Sequence, residues 1–417
     1  MCKIVALQQT IYMYLFTQKW LRIAFLNLLI LAVLGVILRY KIAFSFPFID
    51  QKNLLHGHSH FAFSGWITQV LMYLLIRQLK HENLDIILKE YKWLLYSNLI
   101  TAYGMLISFP IEGYGFYSIL FSTLSVFVSY WFAFIYWKDL QRQPTLLLSH
   151  NWFKAALFFN AFSSLGAFTL AFIMVKKIMI QKLSLLSVYF FLHFQYNGWF
   201  FFATLGLMIS LLEPHLINKN IFKKVFLSFL IACFPAYFLS ALWLPIPNTA
   251  LFVITLSALI QIIAWGIIVY HIHLYRVSFK TMNPISKGLL LLSALALTLK
   301  LLLQLLSTIP SLSQLAFGFR PIVIGYLHLV FLGIISIAII GYTMIDEIKK
   351  PTHLFKNGVI LFVIGIIINE VLLMIQGVSD LAFIEVPFIN ELLFITALIL
   401  FTGLLMLNIG LISKKDV

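Results

Sequence analysis

The chain has 417 residues, of which 62% are hydrophobic and only 10% are charged, and its mean hydropathy is +0.99. In soluble domains roughly a quarter of the residues are charged, so this composition excludes a soluble fold. The net charge of +15 is also found in nucleic-acid-binding proteins, but here the basic residues are spread over short segments between apolar runs. We therefore expect a lipid bilayer, and no nucleic acid, as the partner.

Twelve apolar runs are long enough to cross a membrane, which takes about twenty residues for a helix. Helices are expected because the runs are much longer than barrel strands, and only helices could then satisfy the backbone in lipid. The sequence predicts an all-α polytopic membrane bundle, with a single transmembrane domain over residues 1–417 and no soluble domain. The predicted spans lie near residues 21–41, 58–76, 93–110, 117–137, 153–175, 184–212, 225–244, 249–272, 288–309, 321–343, 357–376 and 389–413.

The distribution of charge predicts the orientation. Most Lys and Arg residues fall in the terminal segments and in every second loop, so the positive-inside rule places both termini in the cytoplasm, here of a bacterial inner membrane. The first span has no small-residue cleavage site and is expected to be a retained helix. Cys2 and Cys233 are single and far apart, which argues against a disulfide or a thiolate metal site.

Three histidines alternate at the predicted outer end of the second span, just before Gly65 and Trp66. On a helix His56 and His60 share one face, because they are four residues apart, whereas His58 points about 200° away. Histidines facing water at the interface would explain the triplet. Ligation of a metal or a heme would explain it as well, since neutral imidazole is the commonest metal ligand.

Two further histidines lie within spans on the same predicted side. His193 is in the sixth span beside Gln195, Tyr196 and Asn197, and His328 is in the tenth. A lone buried histidine is more often a hydrogen-bonded core residue, but ligation would offset the high cost of burying it in a membrane. The sequence thus predicts a plane of ligands, drawn from His56, His58, His60, His193 and His328.

Other polar residues within or next to the spans have two interpretations each. Arg320, ahead of the tenth span, fits either pairing with heme propionates or an ordinary interfacial anchor. Lys300 and Gln304 lie one turn apart in the ninth span, and Asn369 and Glu370 lie in the eleventh. A proton path and a structural ion pair would both explain them.

Twelve helices, inward termini and histidines in spans 2, 6 and 10 resemble subunit I of the heme-copper oxidases, including C-type oxidases and nitric oxide reductases. The resemblance covers the whole chain in topology but only these motifs in sequence. It implies a low-spin heme, expected to be b-type, with His328 as one axial ligand. The other would be His58 or His60. The spacing of His-x-His before Gly-Trp in short oxidase-like proteins favours His58, and His56 stays open.

The chain also departs from that family. Tyr326 stands where the histidine of the high-spin heme is expected, and residues 240–245 contain no pair of copper-binding histidines. His193 matches the remaining copper ligand, but Asn197 occupies the place of the tyrosine that cross-links to it in many oxidases. One imidazole cannot hold copper alone. The candidates for a catalytic role are therefore His193 and Tyr326, whose phenolate could ligate a second heme.

These observations predict a heme-binding membrane protein for electron transfer that lacks a complete oxygen-reducing centre. If it is an enzyme, it is an oxidoreductase of the heme-copper oxidase or nitric oxide reductase type. Its expected partners are a cytochrome c-like or quinol donor and further membrane subunits. Two alternatives stay open. One is an NnrS-like heme protein that binds or senses nitric oxide, and the other is a metal transporter with the histidine triplet as its outward-facing mouth.

Overall fold

The fold is that of an all-α membrane protein. The computed structural model describes residues 2–79, 84–178, 180–216, 218–274, 282–312, 319–348 and 350–413. The chain is 86% helical, and no strand occurs among these residues. The predicted all-α polytopic bundle of about twelve helices is thereby confirmed.

The long helices of the described ranges follow the order of the predicted spans. They are α1 (Cys2–Ala43), α2 (Gln51–Ile76), α3 (Leu84–Glu112), α4 (Phe116–Gln141), α5 (Leu148–Val175), α6 (181–212), α7 (Lys219–Ala241), α8 (Asn248–Leu274), α9 (Pro284–Leu306), α10 (Arg320–Ile345), α11 (His353–Leu381) and α12 (Ile389–Ile412).

Eleven of these helices, all except α6, are long and apolar enough to cross a membrane. Helix α6 has the length as well, but the polar residues His193, Gln195 and Asn197 near its centre make it less apolar. A polar centre of this kind in a long buried helix is the first sign that α6 carries more than packing contacts.

Several helix ends differ from the predicted boundaries; α2 begins at Gln51 and α3 at Leu84, ahead of the predicted starts at residues 58 and 93. Helix α1 begins at Cys2, far ahead of the apolar run, and contains the candidate membrane span Lys19–Ala43. Helix α7 changes from α-helical to 3-10 geometry at Tyr237 and ends at Ala241, shortly after Pro235. Proline has no N–H for the helical ladder, which accounts for the early end.

The described helices group into two compact units. Unit 1 comprises Met1–Gln143, Asp346–Leu372 and Pro387–Val417, and unit 2 comprises Pro144–Ile345 and Leu373–Val386. Unit 1 thus holds α1 to α4, most of α11 and α12, whereas unit 2 holds α5 to α10 and the end of α11. The single domain predicted from the sequence stays a prediction.

Small residues bring α11 and α12 into backbone contact within unit 1. A Cβ atom added to Gly358 would lie 2.5 Å from the Leu407 nitrogen, and one added to Gly403 would lie 2.6 Å from the Phe362 nitrogen. Helices in lipid associate through such close packing, because lipid chains are as apolar as the side chains they would replace.

We expect Gly358→Ala to destabilise the protein by about 1–3 kcal/mol, because the new methyl group overlaps the backbone of α12. Gly266→Ala in α8 is the matched control, since a Cβ at that position meets nothing within 4 Å. Unfolding of the purified protein in detergent measures both. Equal stability of the two variants would contradict the close approach of α11 and α12.

Candidate functional site

Three of the described helices contain a π-helical segment, and each segment begins one or two residues after a histidine in the sequence. A π-helix bonds residue i to i+5, is rare, and often marks a functional site within an α-helix. Spans 2, 6 and 10, which contain the candidate histidines, thus include segments that depart from α-helical geometry. The segments are Ala62–Thr68 behind His60, Phe194–Phe200 behind His193, and Leu329–Ser336 behind His328.

In unit 1, buried asparagines from neighbouring helices bind carbonyl oxygens of the α2 π segment. Asn98 of α3 donates from Nδ2 to the Ser64 carbonyl at 3.0 Å, and Asn27 of α1 donates to the Gly65 carbonyl at 2.5 Å. Both asparagines are fully buried. A carbonyl that loses its helical partner in lipid needs such a donor. The two asparagines therefore have a structural role in holding the π segment.

In unit 2, the π segments of α6 and α10 receive similar hydrogen bonds. Ser293 of α9 donates from Oγ to the Ile334 carbonyl at 2.8 Å, and the Cys233 thiol of α7 lies 3.7 Å from the Asn197 carbonyl oxygen. The two segments also pack against each other, since the ring of Phe331 lies 6.1 Å from that of Tyr196. Unit 2 thus brings the helices of His193 and His328 together.

His56 and His60 lie on the side of α2 that faces α3. The imidazole of His60 stacks on the ring of Phe109 with centroids 4.2 Å apart, and that of His56 lies 4.7 Å from the ring of Tyr114. The predicted common face of these two histidines is confirmed. Their immediate surroundings are aromatic.

His58 lies on the other side of α2, against α1. Its Cε1 atom would be 3.7 Å from a Cβ atom built on Gly35. The triplet is therefore divided between two helix neighbours, and all three imidazoles cannot bind one ion. In the ranges that the structure describes, no three His, Cys, Asp or Glu side chains form a group able to hold a metal ion.

Both ring nitrogens of His193 form hydrogen bonds. Its Nε2–H donates to the Cys233 carbonyl at 2.9 Å, and its Nδ1 accepts from the Asn197 side-chain amide at 3.1 Å. The Cys233 oxygen is available because the Tyr237 N–H bonds to a later carbonyl, where α7 becomes a 3-10 helix after Pro235. This arrangement is that of a hydrogen-bonded core histidine, and it does not fit the copper ligand that the family resemblance implies.

Asn197 connects His193 to the buried Lys300. The Lys300 side chain is only 3% exposed, and its Nζ donates to the Asn197 Oδ1 at 2.6 Å. The ring of Phe201 lies 5.9 Å from the same Nζ. Sequence reasoning singled out His193 and Lys300 separately. It missed their connection, because nothing in the spacing of α6 and α9 shows which residues face each other.

The imidazole of His328 is held in position by its own helix. Its Nδ1 lies 2.9 Å from the Ile324 carbonyl oxygen. A carbonyl can only accept, so Nδ1 carries the proton and the lone pair is on Nε2. Histidines that bind metals usually donate their other N–H to a carbonyl or a carboxylate in this way.

The remaining candidates are placed as follows. Tyr326 forms hydrogen bonds with Tyr196 and Gln304 within unit 2, so its hydroxyl belongs to a polar side-chain network. Arg320 is the first residue of α10, and its side chain is exposed.

These contacts define the site. No protein-family model matches the chain, and no curated protein matches it. The function is therefore inferred from the residues and their geometry.

We expect Asn197→Leu to destabilise unit 2 by about 1–3 kcal/mol, because it leaves a buried amine without an acceptor. Lys300→Met should suppress most of that loss in the double variant, since the unsatisfied group is then removed. A double-mutant cycle from unfolding in detergent gives the coupling energy, expected at about 0.5–3 kcal/mol.

Asn160→Leu serves as the control, because this α5 side chain accepts from Gln195 and not from Lys300. Its effect should add to that of Lys300→Met. Additive effects for Asn197→Leu and Lys300→Met as well would contradict the Asn197–Lys300 hydrogen bond.

Proposed function

We propose that the protein is a heme-binding integral membrane protein that transfers electrons, with His328 as an axial ligand of a low-spin heme. The supporting observation is the orientation of His328: its Nδ1–H donates to the Ile324 carbonyl oxygen at 2.9 Å, which is how histidines that bind a metal are usually held. The π segment that begins at the next residue supports a functional role for this turn.

Heme fits the arrangement of histidines better than a bare metal ion does. A structural or transported ion needs about three or four protein ligands, whereas the porphyrin supplies four nitrogens and leaves one or two axial positions to the protein. The helix α2 histidines face different neighbours, and His193 has both nitrogens in hydrogen bonds. Heme iron needs only one or two imidazoles from the protein, so histidines that lie apart from one another are sufficient to bind it.

The chain's own residues would hold and tune the group. His328 would supply an imidazole to the iron. Arg320 at the start of α10 would pair with propionates. A bound low-spin heme supplies a one-electron redox couple, which would exchange electrons with a quinol or cytochrome c-like donor and further subunits. We place the protein in a bacterial inner membrane with both termini in the cytoplasm.

We do not propose oxygen reduction at a heme-copper centre. His193, the one match to a copper ligand, donates to Cys233 and accepts from Asn197. Tyr326, at the place of the high-spin heme ligand, is hydrogen-bonded to Tyr196 and Gln304. Both side chains already have polar partners.

The first test is the reduced-minus-oxidised absorption spectrum of protein produced with heme supplied. We expect a b-type α-band with an intensity near one low-spin heme per chain. The absence of any heme band in folded protein would end the proposal.

Single substitutions test the ligand roles. His328→Ala should abolish the low-spin band, whereas His193→Ala should keep it, since His193 is engaged in core hydrogen bonds. His215→Ala is the control, because this side chain is exposed at the end of a short helical turn after α6. Equal loss for His328→Ala and His193→Ala would show that the roles are wrongly assigned.

The same variants distinguish the alternatives. A spectrum that shifts with nitric oxide or carbon monoxide, in protein that consumes no oxygen with quinol or cytochrome donors, selects the nitric oxide-binding function. Metal uptake that is lost in a His58→Ala and His60→Ala double variant, in protein free of heme, selects the transporter. The two helix α2 variants made singly show which of these residues holds the heme.

A further inference from the structure

Unit 2 contains an elongated cavity that the heme proposal does not use. Its volume is about 420 Å³, which is within the range of small-molecule binding sites. It lies between α6, α8, α9 and the π segment of α10, and most of its wall is apolar. Leu291 and Val269, 70% and 43% exposed, are part of the wall. Exposed apolar side chains of this kind suit contact with lipid chains, so the cavity is accessible from the bilayer side.

The polar groups of the wall are basic or neutral. Lys300, Lys287 and His273 line the cavity, and the described part of its lining contains no Asp or Glu. Lys300 is buried at one end, whereas Lys287 and His273 are exposed at the other. The charge of the cavity therefore favours an anion over a cation.

Among the residues that the structure describes, Lys300 has too few acceptors for its amine. Its hydrogen-bond partner is the neutral amide of Asn197, at 2.6 Å. A buried ammonium group is costly unless an anion pairs with it. Thr204 of α6 also lines the cavity, is 5% exposed, and has no hydrogen-bond partner for its hydroxyl among the described residues. The amine of Lys300 and the hydroxyl of Thr204 can thus each form a further hydrogen bond with a ligand.

The length of the cavity fits an alkyl chain. Lys287 and Lys300 are thirteen positions apart on α9, which corresponds to about 20 Å along the helix axis. This distance is about two thirds of the thickness of the hydrocarbon core of a bilayer. Leu290, Leu291 and Leu297 line the stretch between the two lysines.

We propose that this cavity binds a long-chain monocarboxylate, with the carboxylate on the Nζ of Lys300 and the chain along the leucines of α9. A diacyl phospholipid does not fit, because its headgroup stays at the membrane surface and cannot reach a buried lysine. The chain of the ligand lies among apolar side chains, and its end can leave toward the lipid at Leu291. This binding does not depend on the heme.

Binding of radiolabelled palmitate to delipidated protein in detergent tests the proposal, with methyl palmitate as the uncharged comparison. The wild type should bind one palmitate per chain, and the methyl ester about tenfold to hundredfold more weakly, as expected for the loss of a hydrogen bond to a charged group. Comparable affinity for acid and ester would overturn the proposal. So would tighter binding of a ubiquinone analogue than of palmitate.

Variants locate the carboxylate. Lys300→Met should weaken palmitate binding by the same factor, whereas Lys182→Met, which removes an exposed charge from the start of α6, should leave it unchanged. Leu297→Trp should fill the cavity and abolish binding of both the acid and the ester. Unchanged palmitate affinity in Lys300→Met, or equal losses in Lys300→Met and Lys182→Met, would overturn the assignment.

Thermal unfolding controls for misfolding of the variants. Palmitate should raise the unfolding temperature of the wild type, because a ligand stabilises the state that binds it, but should not raise that of Lys300→Met. Without palmitate, Lys300→Met should unfold at the wild-type temperature or above it, since an unneutralised buried charge is removed. A palmitate-induced shift of equal size in both proteins would place the ligand elsewhere.

Discussion

The whole arrangement depends on one constraint, that every backbone carbonyl within the bilayer must find a donor in the protein. A π segment adds a residue to a turn and releases carbonyls from the α-helical ladder, so it persists only where side chains from other helices replace the lost bonds. Asn27 and Asn98 supply them for α2, and Ser293 supplies one for α10. The polar residues of these membrane helices are thus explained first by the backbone.

Polar residues whose hydrogen bonds hold the helices thus differ from polar residues that can still bind a ligand. In unit 1, Asn27 and the side-chain nitrogen of Asn98 are engaged in holding α2. Lys300, by contrast, is a buried basic group that donates to a neutral amide. Functional chemistry belongs with the second kind, since a fully satisfied group must break a bond before it can bind anything. His193 falls into the first kind.

The number, order and type of the helices could be predicted, because hydropathy and length are local properties of the sequence. The split of the histidine triplet could be predicted as well, since helical periodicity alone separates His58 from His56 and His60. The π segments could not, because their stability comes from donors far away in the chain. The pairing of Lys300 with Asn197 was missed for the same reason: it depends on the rotation of α6 and α9 about their axes.

One consequence concerns the proline of α7. The α-helical pattern of α7 ends just after Pro235, and the Cys233 carbonyl then accepts a hydrogen bond from His193 on a different helix. The tautomer of that imidazole is thereby set by the change of helix geometry at Tyr237. A chain with an unbroken seventh helix would return the carbonyl to its own ladder and free the imidazole to exchange its proton. The end of the α-helical pattern after Pro235 therefore helps to keep the proton of His193 on Nε2.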